Sequence, residues 1–425
     1  MSDSTFEITL EKLTYGGEAM GRLPDGRAVF VPFGLPNEIV KIRLTQEKQN
    51  FARGEIVEII KSSPERIQAK CKHFFNPLLL VGEGVGMRES CGGCHYQNLS
   101  YENQLKAKTE ILSDQLRRIG KIENPPIQKM IPSPNEWNYR NNIQFHLTNE
   151  GKLGFINSKG NSAFAIEECH LPNKEIDSFW KELNFESNLS LERVSLRSGD
   201  ENDLMLILES EYPETPELEI EADVSVIHIY ENHPVVIAGQ DHIFIKILDK
   251  DFKVSANSFF QVNTKMAEKM VEHLINQIPT PNSQTTLLDI YCGVGLFSKF
   301  FADKYQKVIG VESSSSACED FVFNLDEFEN IDLYEGSAEE ILLKLEIKNQ
   351  THIIVDPPRV GIEKHALDAI INLKPQVIAY VSCDPSTLAR DAARLINGGY
   401  KLKQVTPFDL FPQTYHIESI SIFEI

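Results

Sequence analysis

The sequence predicts an α/β protein built around a doubly wound, mostly parallel sheet, with a small β-barrel at its N-terminus and a strand-rich middle. Three observations predict it. From Thr285 onward, apolar strand-like runs alternate with helical segments, as in parallel β/α units. Residues 4–61 hold five short β-rich runs punctuated by Gly16-Gly17, Gly21, Pro24-Asp25-Gly26 and Gly34, the pattern of a small closed barrel. Between 136 and 250 the runs are again strand-like. The expected division is 1–61 for the barrel, 62–99 with 126–250 for a central unit, and 100–125 with 251–425 for the α/β unit.

A chain of 425 residues is long enough for two or three cores. The net charge of −20 argues against a general nucleic-acid binder, but it is unevenly spread. Residues 160–230 carry 17 Asp/Glu and 4 Lys/Arg, whereas 62–130 carry 10 Lys/Arg and 7 Asp/Glu. A locally basic face therefore remains compatible with RNA. Met1-Ser2-Asp3-Ser4 lacks the basic and apolar regions of a signal peptide, and no apolar run reaches membrane-spanning length. A cytoplasmic, monomeric protein with no membrane association is expected. Its seven cysteines then read as reduced, for metal, cluster or catalysis rather than disulfides.

In the barrel, Thr5 to Leu13 alternates in part, and Ala28 to Pro32, Ile39 to Leu44 and Phe51 to Ile60 are β-rich. The segments Gly16–Gly21, Gly26-Arg27-Ala28-Val29-Phe30-Val31-Pro32 and Pro36-Asn37-Glu38 resemble a TRAM domain, an RNA-binding barrel. Next come Cys71 and the knuckle Cys91-Gly92-Gly93-Cys94, with a fourth thiol at Cys169. Redox chemistry is disfavoured because no thioredoxin-like βαβ context surrounds the C-x-x-C. Four such cysteines suit zinc or an iron–sulfur cluster, and spacing alone does not choose. Ser100–Ile119 reads as a helix with the stripe Leu105, Leu112, Leu116 and Ile119, ended by Gly120. Its Lys106, Lys108, Arg117 and Arg118 read first as a solvated face and second as phosphate contacts. Trp137-Asn138-Tyr139-Arg140-Asn141 reads as structural before RNA-binding.

In the last third, strands are expected at Thr286–Tyr291, Lys307–Glu312, Ile331–Tyr334, His352–Asp356 and Val377–Ser382, then Leu402–Phe408 and Ile417–Phe423. Asp289-Ile290-Tyr291-Cys292-Gly293-Val294-Gly295 is a strand, a Gly-x-Gly turn and a helix start. Ser298 breaks G-x-G-x-x-G, which weakens a dinucleotide reading. Glu312 ends the next strand, suited to ribose hydroxyls. This set resembles the S-adenosylmethionine site of class I methyltransferases. Val377 to Val381 delivers Cys383 to the sheet's C-terminal edge, and Asp384-Pro385-Ser386 opens a helix whose N-terminus is expected to favour its thiolate.

Ser255-x-x-Ser258-Phe259-Phe260-Gln261-Val262-Asn263, Asp289–Gly295, Asp356-Pro357-Pro358-Arg359, Ser382-Cys383-Asp384-Pro385 and His416-Ile417-Glu418-Ser419 occur in the order seen in RNA uridine-5-methyltransferases. The whole chain resembles the members that carry a TRAM domain and a 4Fe-4S cluster. Two departures stand out: a long Cys71–Cys91 interval, and Leu296 where some members have a polar cofactor contact. The resemblance implies methyl transfer to uridine C5, with Cys383 as nucleophile and Glu418 as base. It implies cofactor contacts at Gln261, Tyr291, Glu312, Ser337 and Asp356, and a cluster on Cys71, Cys91, Cys94 and Cys169. It points to 23S rRNA before tRNA. An RNA cytosine-5-methyltransferase is disfavoured by the lack of a cysteine beside Pro357, and a non-catalytic RNA-binding protein by the Cys383 and Glu418 pair.

Overall fold

The computed structural model describes residues 5–75, 90–186, 191–200, 203–215, 222–347 and 350–425. The acidic, proline-bearing stretch Glu209–Asp223 reads from the sequence as a surface loop, and its residues 216–221 lie outside the described ones. The first five strands are β1 (Thr5–Leu13), β2 (Glu18–Arg22), β3 (Ala28–Pro32), β4 (Ile39–Glu47) and β5 (Phe51–Lys61). They close into a barrel in the order β1-β2-β3-β5-β4, with β3 and β5 parallel. Alternating residues such as Ile8, Leu10, Val29, Val31, Val40 and Ile42 fill its interior. Glu38 is fully buried beside the barrel. It accepts from Leu35 N (2.9 Å) and pairs with Arg66 at 2.6 Å, which ties the barrel to the following segment.

Helix α1 (Tyr101–Arg118) buries Ile111, Leu112 and Leu116. One apolar core runs from the barrel through α1 to the C-terminal sheet. The solvated-face reading of α1 fails at Lys108. This residue is fully buried, paired with Asp409 at 2.6 Å and donating to Phe411 O at 2.9 Å. A buried ammonium needs such partners, and they come from a loop 301 residues away.

The central sheet has the order β12-β11-β10-β9-β6-β7-β8, from β6 (Asn142–Leu147), β7 (Leu153–Ile156), β8 (Ala163–Ala165), β9 (Leu191–Ser198), β10 (Leu204–Ser210), β11 (Ser225–Tyr230) and β12 (His233–Ala238). Helix α2 (Lys174–Trp180) covers one face through Ile176 and Trp180. The hairpin β13 (His242–Ile247) and β14 (Lys250–Ser255) follows, then α3 (Thr264–Gln277).

The C-terminal sheet has the order β17-β16-β15-β18-β19-β21-β20. Its strands are β15 (Thr286–Ile290), β16 (Lys307–Glu312), β17 (Ile331–Glu335), β18 (Thr351–Val355), β19 (Val377–Ser382), β20 (Lys401–Phe408) and β21 (Glu418–Glu424). Helices α4 (Leu296–Phe301), α5 (Ser315–Asn324), α6 (Ala338–Leu342), α7 (Lys364–Leu373) and α8 (Pro385–Asn397) connect them. The first five strands are parallel, and β21 is antiparallel to both β19 and β20. The α/β class, the barrel and the strand-rich middle all agree with the expectation. The strand order reverses between β15 and β18, and a crevice at such a switch point is where open sheets bind ligands.

Candidate active site

Every residue of β19 is buried, so the strand is fixed on both faces, and Cys383 follows it half-buried. Ser382 Oγ donates to Asp384 O (3.0 Å) and accepts from Asp384 N (3.2 Å), closing a tight turn around Cys383. On the neighbouring strand, Val381 pairs with Ile420 and Ser382 with Ser419. Cys383 thus leaves β19 beside the start of β21, where the Glu418 carboxylate bears electrostatically on its thiol. The loop before Glu418 is pinned from behind: Gln413 O accepts from His95 N (2.9 Å) and Tyr96 N (3.0 Å), and Tyr139 Oη donates to Pro412 O (3.0 Å).

The expectation that the helix N-terminus favours a Cys383 thiolate does not hold in the ligand-free site. Asp384 caps α8 itself, accepting from Ser386 N (2.8 Å) and Thr387 N (2.9 Å), so the helix donors are already used. Burial pushes the Cys383 thiol up to about 12, and the carboxylates of Glu418, Asp356 and Asp384 add to this against the pull of Arg359. Burial raises Glu418 well above the carboxylate range; Asp356 adds to it, while Arg359 and Lys108 oppose it. Burial also lifts Asp356 to about 7. Burial and mutual repulsion thus favour the protonated forms of these groups. The loop carrying Asp356 and Arg359 is clamped onto α8: Thr387 Oγ1 donates to Arg359 O (3.3 Å), and Arg390 Nη2 donates to Val360 O (3.1 Å).

At the neighbouring strand ends, Tyr291 takes φ +62° and Gly293 φ +53° as the chain turns from β15 toward α4. No atom lies within 4 Å of the place a Gly293 side chain would occupy, leaving the backbone open to a ligand. Glu312 bridges two loops, accepting from Gly293 N (3.0 Å) through one oxygen and from Ser313 N (2.7 Å) and Ser314 N (2.8 Å) through the other. Asp289 is fully buried and burial lifts it to about 7. Its Oδ2 accepts from Ser298 N (3.1 Å) and Ser298 Oγ (2.7 Å), whereas Oδ1 has no partner among the described residues. Ser298, which broke the dinucleotide pattern, is therefore a ligand of the buried carboxylate. An orphaned carboxylate oxygen beside an open glycine turn fits a cofactor that brings positive charge. Gln261 sits half-buried in the loop after β14, its carbonyl accepting from Asn141 Nδ2 (3.1 Å). The Ser337 hydroxyl caps α6 through Glu340 N (3.3 Å). Leu296 is buried in the core under α4, and Cys292 is also buried.

The four remaining candidate residues meet elsewhere. Cys71, Cys91, Cys94 and Cys169 line one cavity of about 270 Å³ together with Gln97, Phe155 and Arg140. Gly92 is required there, because a Cβ at this position would stand 2.6 Å from Ile156 O. Burial pushes the Cys91, Cys94 and Cys169 thiols up to about 12, and each of the three is raised further by other cysteines of the set. Cys71 is raised too, mainly by burial. Among the described residues no three His, Cys, Asp or Glu side chains are arranged to hold a single metal ion.

Comparison with known proteins reads this arrangement. The family model for tRNA (uracil-5-)-methyltransferases matches residues 223–424, and that for TRAM domains matches 1–57. An RNA methyltransferase of Aquifex aeolicus is 33% identical across all of both chains. Another, of Halalkalibacterium halodurans, is 31% identical over 99% of this chain and 96% of its own. The chain belongs to the RNA uracil-5-methyltransferase family. Its activity is S-adenosylmethionine-dependent methyl transfer to uracil in RNA. The fold is shared with a Pyrococcus abyssi tRNA (uracil-54, C5)-methyltransferase solved with S-adenosyl-L-homocysteine, at TM-score 0.74 and 23% identity over 98% of this chain and 99% of that one.

Three features of this methyltransferase escaped the sequence reading. Lys108 lies behind Glu418 and lowers its proton affinity. Arg140 lines the cysteine cavity, its guanidinium 5.6 Å from the Phe411 ring. Phe259, beside Gln261, is 70% exposed, an aromatic face held in solvent. Among the described residues no helix is long and apolar enough to cross a membrane.

Proposed function

We propose that the chain methylates C5 of one uridine in RNA, in the cytoplasm, through a covalent bond between Cys383 Sγ and uracil C6. Uridine C5 is too weak a nucleophile to take a methyl group from a sulfonium unaided. Addition of the thiolate at C6 makes C5 enolate-like. When bound, S-adenosylmethionine supplies the methyl group and a positive charge. Glu418 then takes the C5 proton, the C5–H electron pair restores the C5=C6 double bond, and Cys383 leaves C6 as a thiolate. The pairing of Ser382 with Ser419, which brings the end of β19 beside the start of β21, and the electrostatic influence of Glu418 on the Cys383 thiol support this reading. Asp356 and Arg359 are assigned to orienting the pyrimidine and its phosphate. Gln261, Tyr291, Glu312 and Asp356 are assigned to the cofactor; Ser337 is a weaker assignment, its hydroxyl already capping α6. Asp289, with its orphaned oxygen, joins them. Cys383 can reach C6 only if the base is unstacked, and Phe259 offers a face on which to hold it.

The substrate we favour is 23S rRNA, with tRNA as the competing reading. The TRAM-like barrel and four-cysteine set support the former; the description of the matched family model supports the latter. Incubation with S-adenosylmethionine and separate unmodified 23S rRNA or tRNA, then digestion and mass spectrometry, tests both. 5-Methyluridine in one pool identifies the substrate. Its absence from both, with cofactor binding intact, rejects the reading.

The cavity of Cys71, Cys91, Cys94 and Cys169 is assigned a 4Fe-4S cluster with a structural role, because methyl transfer to C5 needs no electron. Anaerobically purified protein should absorb broadly at about 400 nm. Colourless protein with stoichiometric zinc would overturn the assignment.

Cofactor affinity should depend on pH. Burial pushes Asp289 and Asp356 up to about 7, and a bound cation favours their ionised forms. Affinity is then greatest above pH 7 and falls below it, by about tenfold per pH unit for each carboxylate that must lose a proton. Calorimetry between pH 5.5 and 7.5 in buffers of different ionisation enthalpy measures both the slope and the released protons. A flat profile would remove these carboxylates from cofactor binding.

A further inference from the structure

The barrel does more than sit beside the α/β unit: its first turn reaches the end of β19. Thr14 N and Oγ1 both donate to Glu18 O, at 2.9 Å each, and Gly16 and Gly17 take φ +104° and +84°. These bonds and the glycines make a compact turn that projects Tyr15. The turn is seated tightly, since a Cβ on Gly17 would stand 2.8 Å from the His95 ring. Tyr15 Oη donates to Asp384 Oδ2 at 2.9 Å, and its ring meets Tyr415 edge-on at 5.7 Å. Asp384 Oδ1 is already committed to the N-terminus of α8. Tyr15 thus supplies the described hydrogen bond to the second oxygen of the carboxylate adjoining Cys383.

We propose that Tyr15 is a positioning residue that lets the barrel set the reactivity of Cys383 through Asp384. This rests on the methyl-transfer reading above. The chemistry is direct. Asp384 is an anion next to a thiol that must become an anion, and it disfavours that change. A phenol donated to the free oxygen draws charge off the carboxylate and fixes its orientation against α8. The other groups facing Cys383 are Asp356 and Arg359 after β18, Glu418 on β21, and the Tyr380 phenol on β19. Of these, only Arg359 is a cation, so the hydrogen bond on Asp384 bears on thiolate formation. Tyr15 itself faces Asp384, Tyr415 and Arg359, and its own proton is held far more tightly than in water, chiefly by burial. It is a donor at every working pH.

The test is a double-mutant cycle in the full-length protein with Tyr15→Phe and Asp384→Asn. Asparagine keeps the helix cap while removing the charge. The readouts are the single-turnover rate of adduct formation with 5-fluorouridine-containing RNA from pH 6 to 9, the RNA dissociation constant, and thermal stability. Tyr15→Phe should slow adduct formation by about tenfold and displace its pH profile upward by roughly half a unit or more, with RNA affinity kept. In the Asp384→Asn background the same change should have little effect. Equal effects in both backgrounds, or a change confined to RNA affinity, would overturn the proposal while the methyl-transfer reading stands. A wild-type enzyme that forms no adduct and no 5-methyluridine would instead remove that reading, and the proposal with it.

Discussion

Cys383→Ala abolishes 5-methyluridine formation, lowering turnover by about four orders of magnitude or more, while S-adenosylmethionine binds within about threefold of wild type. The loss is large because no other group can take over. Cys292 and Cys318 are buried in the core, and the four cysteines of the second cavity line a different site. Cofactor binding survives because Asp289, the Gly293 turn and Glu312 are built by β15 and β16, two and three places from β19 in the sheet. The truncation is small and half-buried, so the fold should tolerate it. Single-turnover methylation with equilibrium cofactor binding checks both halves. Normal turnover would end the nucleophile assignment.

Glu418→Gln should trap the reaction midway. Gln keeps the volume and hydrogen-bonding capacity of a side chain only 6% exposed, so packing between β19 and β20 is retained. It cannot accept the C5 proton. The methylated adduct therefore persists, and a protein–RNA band resistant to denaturant accumulates as turnover falls by about 10²- to 10⁴-fold. The carboxylate of Glu418 must be ionised to act, yet burial and Asp356 hold its proton tightly in the ligand-free site. Cofactor charge, Arg359 and Lys108 together favour ionisation. The catalytic form thus belongs to the cofactor-loaded enzyme. A slow variant with no adduct would assign the proton to another group.

The parts that could be read from residues alone are those with local causes. Val377–Val381 is apolar throughout because an interior parallel strand is buried on both faces, and it led directly to Cys383. The glycine-punctuated barrel and the turn at Gly293 are legible because few residues tolerate those backbone angles. Strand β12 leaves no periodic mark in the sequence, because all six of its residues are exposed and it has no inward face. Lys108 and Tyr15 were beyond reach for another reason. Their partners, Asp409 and Asp384, lie 301 and 369 residues away, and only the assembled fold brings them together. The Cys383 thiol was misjudged for a related cause. A helix N-terminus is visible in Asp384-Pro385-Ser386, but the capping that uses its donors, and the carboxylates across the strand, are tertiary facts.

The most direct measurement is the site of attachment. Wild-type enzyme, S-adenosylmethionine and 5-fluorouridine-containing RNA are combined, the complex is digested with nuclease and protease, and the modified peptide is sequenced by mass spectrometry. A methylated fluorouridine nucleotide on the peptide bearing Cys383, and on Cys383 itself, is the expected result. Attachment at any other residue, or methylated RNA formed with no bound intermediate, would contradict the covalent mechanism.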